Sequence, residues 1–194
     1  MKMKRFLFAL SGLCALLIGT TAQAHILPGD VRGFSSGFSH PLHGLDHLLA
    51  MIAVGLWAAQ LGGRARWAVP ASFVAVMAVG GALGMAGVHV PYMEMGIVAS
   101  VMAMGLLIAL SAKLPTPAGM AVVGVFALFH GLSHGAEMPV NAVGFAYGAG
   151  FVLATSLLHA CGVALGSMLR PVRLPVVRWA GAAIALAGVA LCVW

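Results

Sequence analysis

After its first two dozen residues the chain is a succession of six apolar runs, each long enough to cross a bilayer as a helix, separated by breaks of proline or charge. In hydrocarbon every backbone N–H and C=O must find its partner within the protein, so runs of this kind are confined to α-helices. They fall at 41–62, 67–88, 93–112, 118–138, 142–168 and 176–194. The breaks are Arg64 and Arg66; Pro91; Lys113, Pro115 and Pro117; Pro139 and Asn141; and Arg170, Pro171, Arg173 and Pro175. They leave only short turns and no space for a separate soluble domain. Charged residues make up 7% of the chain, against roughly 25% in soluble domains. The expected fold is an all-α integral membrane protein, a six-helix transmembrane bundle whose first partner is the lipid bilayer. The net charge of +6 then reports topology rather than nucleic-acid binding, and no basic patch with interleaved aromatics occurs.

Residues 1–24, MKMKRFLFALSGLCALLIGTTAQA, have the three parts of a secretory signal: Lys2, Lys4 and Arg5, an apolar core, and Ala22-Gln23-Ala24 as a cleavage site. The mature membrane domain is therefore expected over 25–194. Cys14 follows Leu13, where a lipoprotein signal would need a small residue. Cys161 and Cys192 lie within apolar runs and read as buried, inert thiols, too few for a cysteine metal site. The breaks after the first, third and fifth runs hold Arg64, Arg66, Lys113, Arg170, Arg173 and Arg178, whereas the other side of the mature chain holds Arg32. The positive-inside rule puts the first group in the cytoplasm and the mature N-terminus in the periplasm of a bacterial inner membrane, in agreement with a cleaved signal. Small-xxx-small pairs such as Gly80/Gly84, Gly131/Gly135 and Gly144/Gly148 predict close helix packing, and the twelve methionines read as packing residues.

Against this background the ionisable groups stand out, because each costs about 2.5–3.5 kcal/mol at a helix centre. Nearly all fall on the outer side: His25, Asp30, His40, His43, Asp46 and His47 around the start of the first run, His89 and Glu94 at the turn into the third, and His130, His134 and Glu137 at the end of the fourth. On a continuous helix His40, His43 and His47 would lie within roughly 60° of one another, and His130, His134 and Glu137 would form a second stripe. Asp46 lies about 100° round from His47, suited to orienting an imidazole rather than binding beside it, and Pro41 suits a first helical turn. Imidazole with carboxylate is a ligand set for Ni, Zn, Co or Cu(II), whereas Mg and Ca want mostly oxygens. His89 alone makes no site. His25 could chelate a cation through its ring and α-amino nitrogen or be an ordinary mature N-terminus. His159, in the inner half of the fifth run, is either a lower station on a permeation path or a histidine bonded to a neighbouring helix carbonyl.

HPLHGLDH, from His40 to His47, together with FHGLSHGAE, from Phe129 to Glu137, resembles the HupE/UreJ family of hydrogenase and urease accessory membrane proteins, regarded as nickel permeases. The likeness extends over nearly the whole chain. It implies that His40, Asp46, His47, His130, His134 and Glu137 are the residues important for nickel movement, with Ni(II) as the transported ion and no organic cofactor. It adds little about His43, and Ser133 stands where a small residue such as Ala is expected. The resulting expectation is a permease, not an enzyme, that takes up nickel or a similar divalent metal through a site on the first and fourth runs. No nucleotide-binding motif is present, so transport would be passive or ion-coupled, with protons competing for the imidazoles. Two rivals remain: a membrane haem protein with axial histidines on different helices, and an accessory protein that binds metal without moving it.

Overall fold

The first apolar run is broken at Gly44. The computed structural model describes residues 33–138, 141–169 and 175–193, and there the run becomes two helices, α1 (Phe34–His43) and α2 (Leu45–Leu61), bent by 82°. Gly44 takes an extended conformation between them (φ −81°, ψ 117°). A Cβ at this position would lie 2.8 Å from Asp46 Oδ1 and 3.0 Å from His47 Nδ1, so a larger residue would displace the acid and imidazole that fold back over the turn. Pro41 therefore sits inside α1 and not in the first turn of a span, and the continuous stripe expected of His40, His43 and His47 does not exist. Residues 1–24, His25 and Arg32 lie outside the described residues.

Five more helices follow: α3 (Ala65–Met85), α4 (Met93–Ala109), α5 (Thr116–Ala136), α6 (Ala142–Leu169) and α7 (Pro175–Leu191), with no strand among the described residues. Their ends agree with the apolar runs to within three residues. By length and composition α3, α5 and α6 can cross a membrane, and the bent α1–α2 pair makes a fourth candidate. The 17 residues each of α4 and α7 cover about 25 Å, short of a hydrocarbon core of roughly 30 Å. Asn141 caps α6 by accepting from the Val143 and Gly144 N–H groups.

Glycine decides which helices meet. On α5, a Cβ at Gly131 would lie 2.2 Å from the Met77 carbonyl oxygen, and one at Gly135 would lie 2.2 Å from that of Gly81, so α5 packs backbone to backbone on α3. The Gly131/Gly135 pair thus joins the second and fourth runs. In the same way Gly55 of α2 abuts the His159 carbonyl of α6, Gly37 of α1 abuts that of Tyr147, and Gly105 of α4 meets Ala185 of α7. Gly148 departs from the expectation: nothing lies within 4 Å of its Cβ position, because it borders a cavity. The free thiols of Cys161 and Cys192 also depart from it, since both are on the outside of the bundle. Helix α2 bonds the carboxyl end of α4, where Trp57 Nε1 donates to the Ala112 carbonyl at 3.0 Å and Gln60 Nε2 to that of Ile108 at 3.1 Å.

Candidate metal centre

Three histidines from three helices converge where α1 turns into α2. His40 comes from the last turn of α1, His47 from the first turn of α2 and His134 from the last turn of α5. One ring nitrogen from each can be chosen so that all three lie within 4.8 Å of one another. His40 and His47 therefore do meet, with ring centroids 5.5 Å apart, but the bend at Gly44 brings them together rather than a shared helical face. The His134 ring lies 4.6 Å from each of the other two.

The orientation of His47 is fixed by its neighbour. Asp46 Oδ1 accepts from both the backbone N–H and Nδ1–H of His47, each at 2.8 Å. An ionised carboxylate can only accept, so the His47 proton sits on Nδ1 and the Nε2 lone pair points at His134, whose Nε2 is 2.5 Å away. A carboxylate behind an imidazole is the usual outer support of a metal ligand, raising its basicity and locking its tautomer. A tetrahedral ion with bonds of about 2.1 Å would hold two ligand nitrogens about 3.4 Å apart, so a small separation of the His47 and His134 rings admits one. His47 and His134 are buried and His40 partly so, and Phe151 of α6 covers the trio, its ring 5.0 Å from that of His134 and 5.7 Å from that of His40.

The other expected ligands are not among the three residues whose ring nitrogens converge. His130 is fully buried with its ring 5.3 Å from that of His47, but its Nδ1 donates to the Phe126 carbonyl at 2.9 Å. Glu137 caps the end of α5 on the outside of the bundle. His43 is exposed and its ring bonds the Ser39 carbonyl at 2.8 Å, whereas His89 is exposed in the turn between α3 and α4. His159 is bonded to a helix carbonyl, that of Met51, at 2.8 Å. Sequence reasoning passed over two features. The Tyr147/Phe151 pair, one turn apart on α6, walls the trio, and Ser133 donates a short hydrogen bond to Glu94, tying the start of α4 to the turn between His130 and His134. The i, i+4 spacing of two aromatics was the available signal for the first; nothing local marks the second.

Residues 13–191 match the family described as HupE / UreJ protein. The chain is 48% identical over 183 residues to Protein HupE of Rhizobium leguminosarum bv. viciae, an alignment covering 93% of this chain and 95% of the relative. No solved structure matches it.

Proposed function

The chain belongs to the HupE/UreJ family, and from that premise we propose that it is a nickel permease, carrying Ni(II) inward from the periplasm to supply hydrogenase or urease maturation. The observation that carries this reading is the trio of His40, His47 and His134 at the α1–α2 break, with Asp46 behind His47. Removing an ion from water costs more than one contact returns, so a permease needs several donors at one point, and neutral nitrogens suit borderline cations such as Ni(II). Asp46 lowers the cost of taking a dication out of water, and His130 and Glu137 extend the donor set inward and outward from the trio. The haem reading fares worse, because imidazoles this close leave no space for a macrocycle between them.

In this reading the bent α1–α2 pair and α3 to α7 are six spans, with α4 and α7 accommodated by local thinning of the bilayer. The arginine-rich breaks face the cytoplasm, and the mature chain starts outside at His25 after loss of residues 1–24. Mass spectrometry of the purified protein should find His25 at the N-terminus; an intact Met1 would remove the signal peptide and with it His25 as a chelating terminus.

Uptake of radiolabelled nickel into proteoliposomes tests transport and separates it from binding alone. Asp46→Asn keeps a hydrogen-bond acceptor for His47 but removes the charge, and should weaken nickel binding by about 10–100-fold while the protein still inserts. Vesicles that bind nickel at the outer face but accumulate none would leave the metal site in place and replace the permease by a non-transporting accessory protein.

A further inference from the structure

One turn back along α5 from His134, and across to α6, is a second set of buried donors that the outer trio does not use. His130 and His159 are both almost fully buried, and each gives Nδ1 to a backbone carbonyl, that of Phe126 and that of Met51 respectively. A carbonyl can only accept, so both rings carry their proton on Nδ1 and present a bare lone pair at Nε2. Neither Nε2 has a hydrogen-bond partner. An unpartnered acceptor is costly at such depth, and here two occur in the same state. Thr155 lies one turn before His159 on the same face of α6, and its hydroxyl donates to the Met77 thioether at 3.9 Å. Met77 in turn lines a cavity of about 290 Å³ together with His130 and His134. The Phe73 ring touches both histidines, with centroids 5.5 Å from His130 and 5.0 Å from His159.

We propose that His159 Nε2, the Met77 thioether and the Thr155 hydroxyl form an inner station for a divalent transition cation, which His130 Nε2 receives from the outer trio and hands on. The proposal rests on the permease reading for its purpose but not for its existence as a binding site. An imidazole and thioether set selects borderline and soft cations, so magnesium and calcium are rejected there even if they pass the mouth. The hydrogen bond to Met51 then serves the metal: it holds the ring by one nitrogen and aims the other.

The test is nickel binding by equilibrium dialysis of the purified full-length protein, joined to nickel uptake by proteoliposomes. The parent should bind two ions per chain. His159→Asn keeps a donor in the place of Nδ1 but has no second nitrogen; it should bind one ion and lower the maximal uptake rate at least about tenfold, leaving the nickel concentration for half-maximal uptake unchanged. Met77→Leu keeps the volume, loses the sulfur and should weaken the second ion about tenfold, and it decides the matter if the Asn variant does not insert. A parent that binds one ion, or variants that keep both ions at parental affinity, would overturn the inner station while uptake by the parent leaves the permease reading standing. Two ions in the parent and one in His159→Asn, with no uptake by either, would uphold the station and overturn the permease.

Discussion

Replacing His47 by Ala is expected to abolish nickel uptake, lowering it by more than the 10–100-fold typical of losing a residue that merely supports a ligand. Three losses coincide there. The trio falls to two imidazoles on α1 and α5; Asp46 loses the ring that its carboxylate holds; and a space opens beside His130 and His134, both buried. His89→Ala removes an exposed ring with no place in the cluster, and should leave uptake within about a factor of two of the parent. Initial rates of radiolabelled uptake at matched protein in the membrane make the comparison. Parental uptake by an inserted His47→Ala protein would end the role proposed for the trio.

The second large effect falls on the fold. Gly131→Val should eliminate folded protein, a destabilisation beyond about 4 kcal/mol, because the new Cβ would stand 2.2 Å from the Met77 carbonyl oxygen and 2.7 Å from the Gly81 nitrogen. Both are backbone atoms of α3, and neither can turn aside as a side chain would. Gly148→Ala, whose Cβ meets open space, should unfold close to the parent temperature. Size-exclusion profiles and thermal unfolding of the two detergent-solubilised variants give the answer, and a well-folded Gly131→Val protein would contradict the backbone-to-backbone packing of α3 on α5.

Much of this architecture can be read from the sequence because hydrocarbon permits so little. The helix ends from Ala65 onward follow from where prolines and charges interrupt the apolar runs. The pairing of Asp46 with His47 is likewise local, set by adjacency and the start of α2. Gly44 is harder, since a glycine within an apolar run breaks some helices and passes unnoticed in others; what decides here is the carboxylate folded over it, a contact made only after the break exists. Glycine stripes announce close approach without naming the partner, so Gly131 and Gly135 could be placed on an interface but not assigned to α3. His130 and His134 share one helical face, yet the carbonyl of Phe126 holds one ring while the other is drawn to His47, and that difference lies beyond periodicity.

The three helices that supply the trio are held by different neighbours. α1 and α2 lie on α6 through Gly37 and Gly55, whereas α5 lies on α3 through Gly131 and Gly135. A cation bound by His40, His47 and His134 would therefore add a further tie between two helix sets already joined inside the bundle by Thr155 of α6 and Met77 of α3. Its capture would carry a mechanical consequence: three metal–nitrogen bonds would resist any shift of α5 against α1 and α2 for as long as the ion stays. Binding at the trio and stiffening of the bundle would then be a single event, and nickel at a hundred times its dissociation constant would add about 2.7 kcal/mol to the stability of the folded chain.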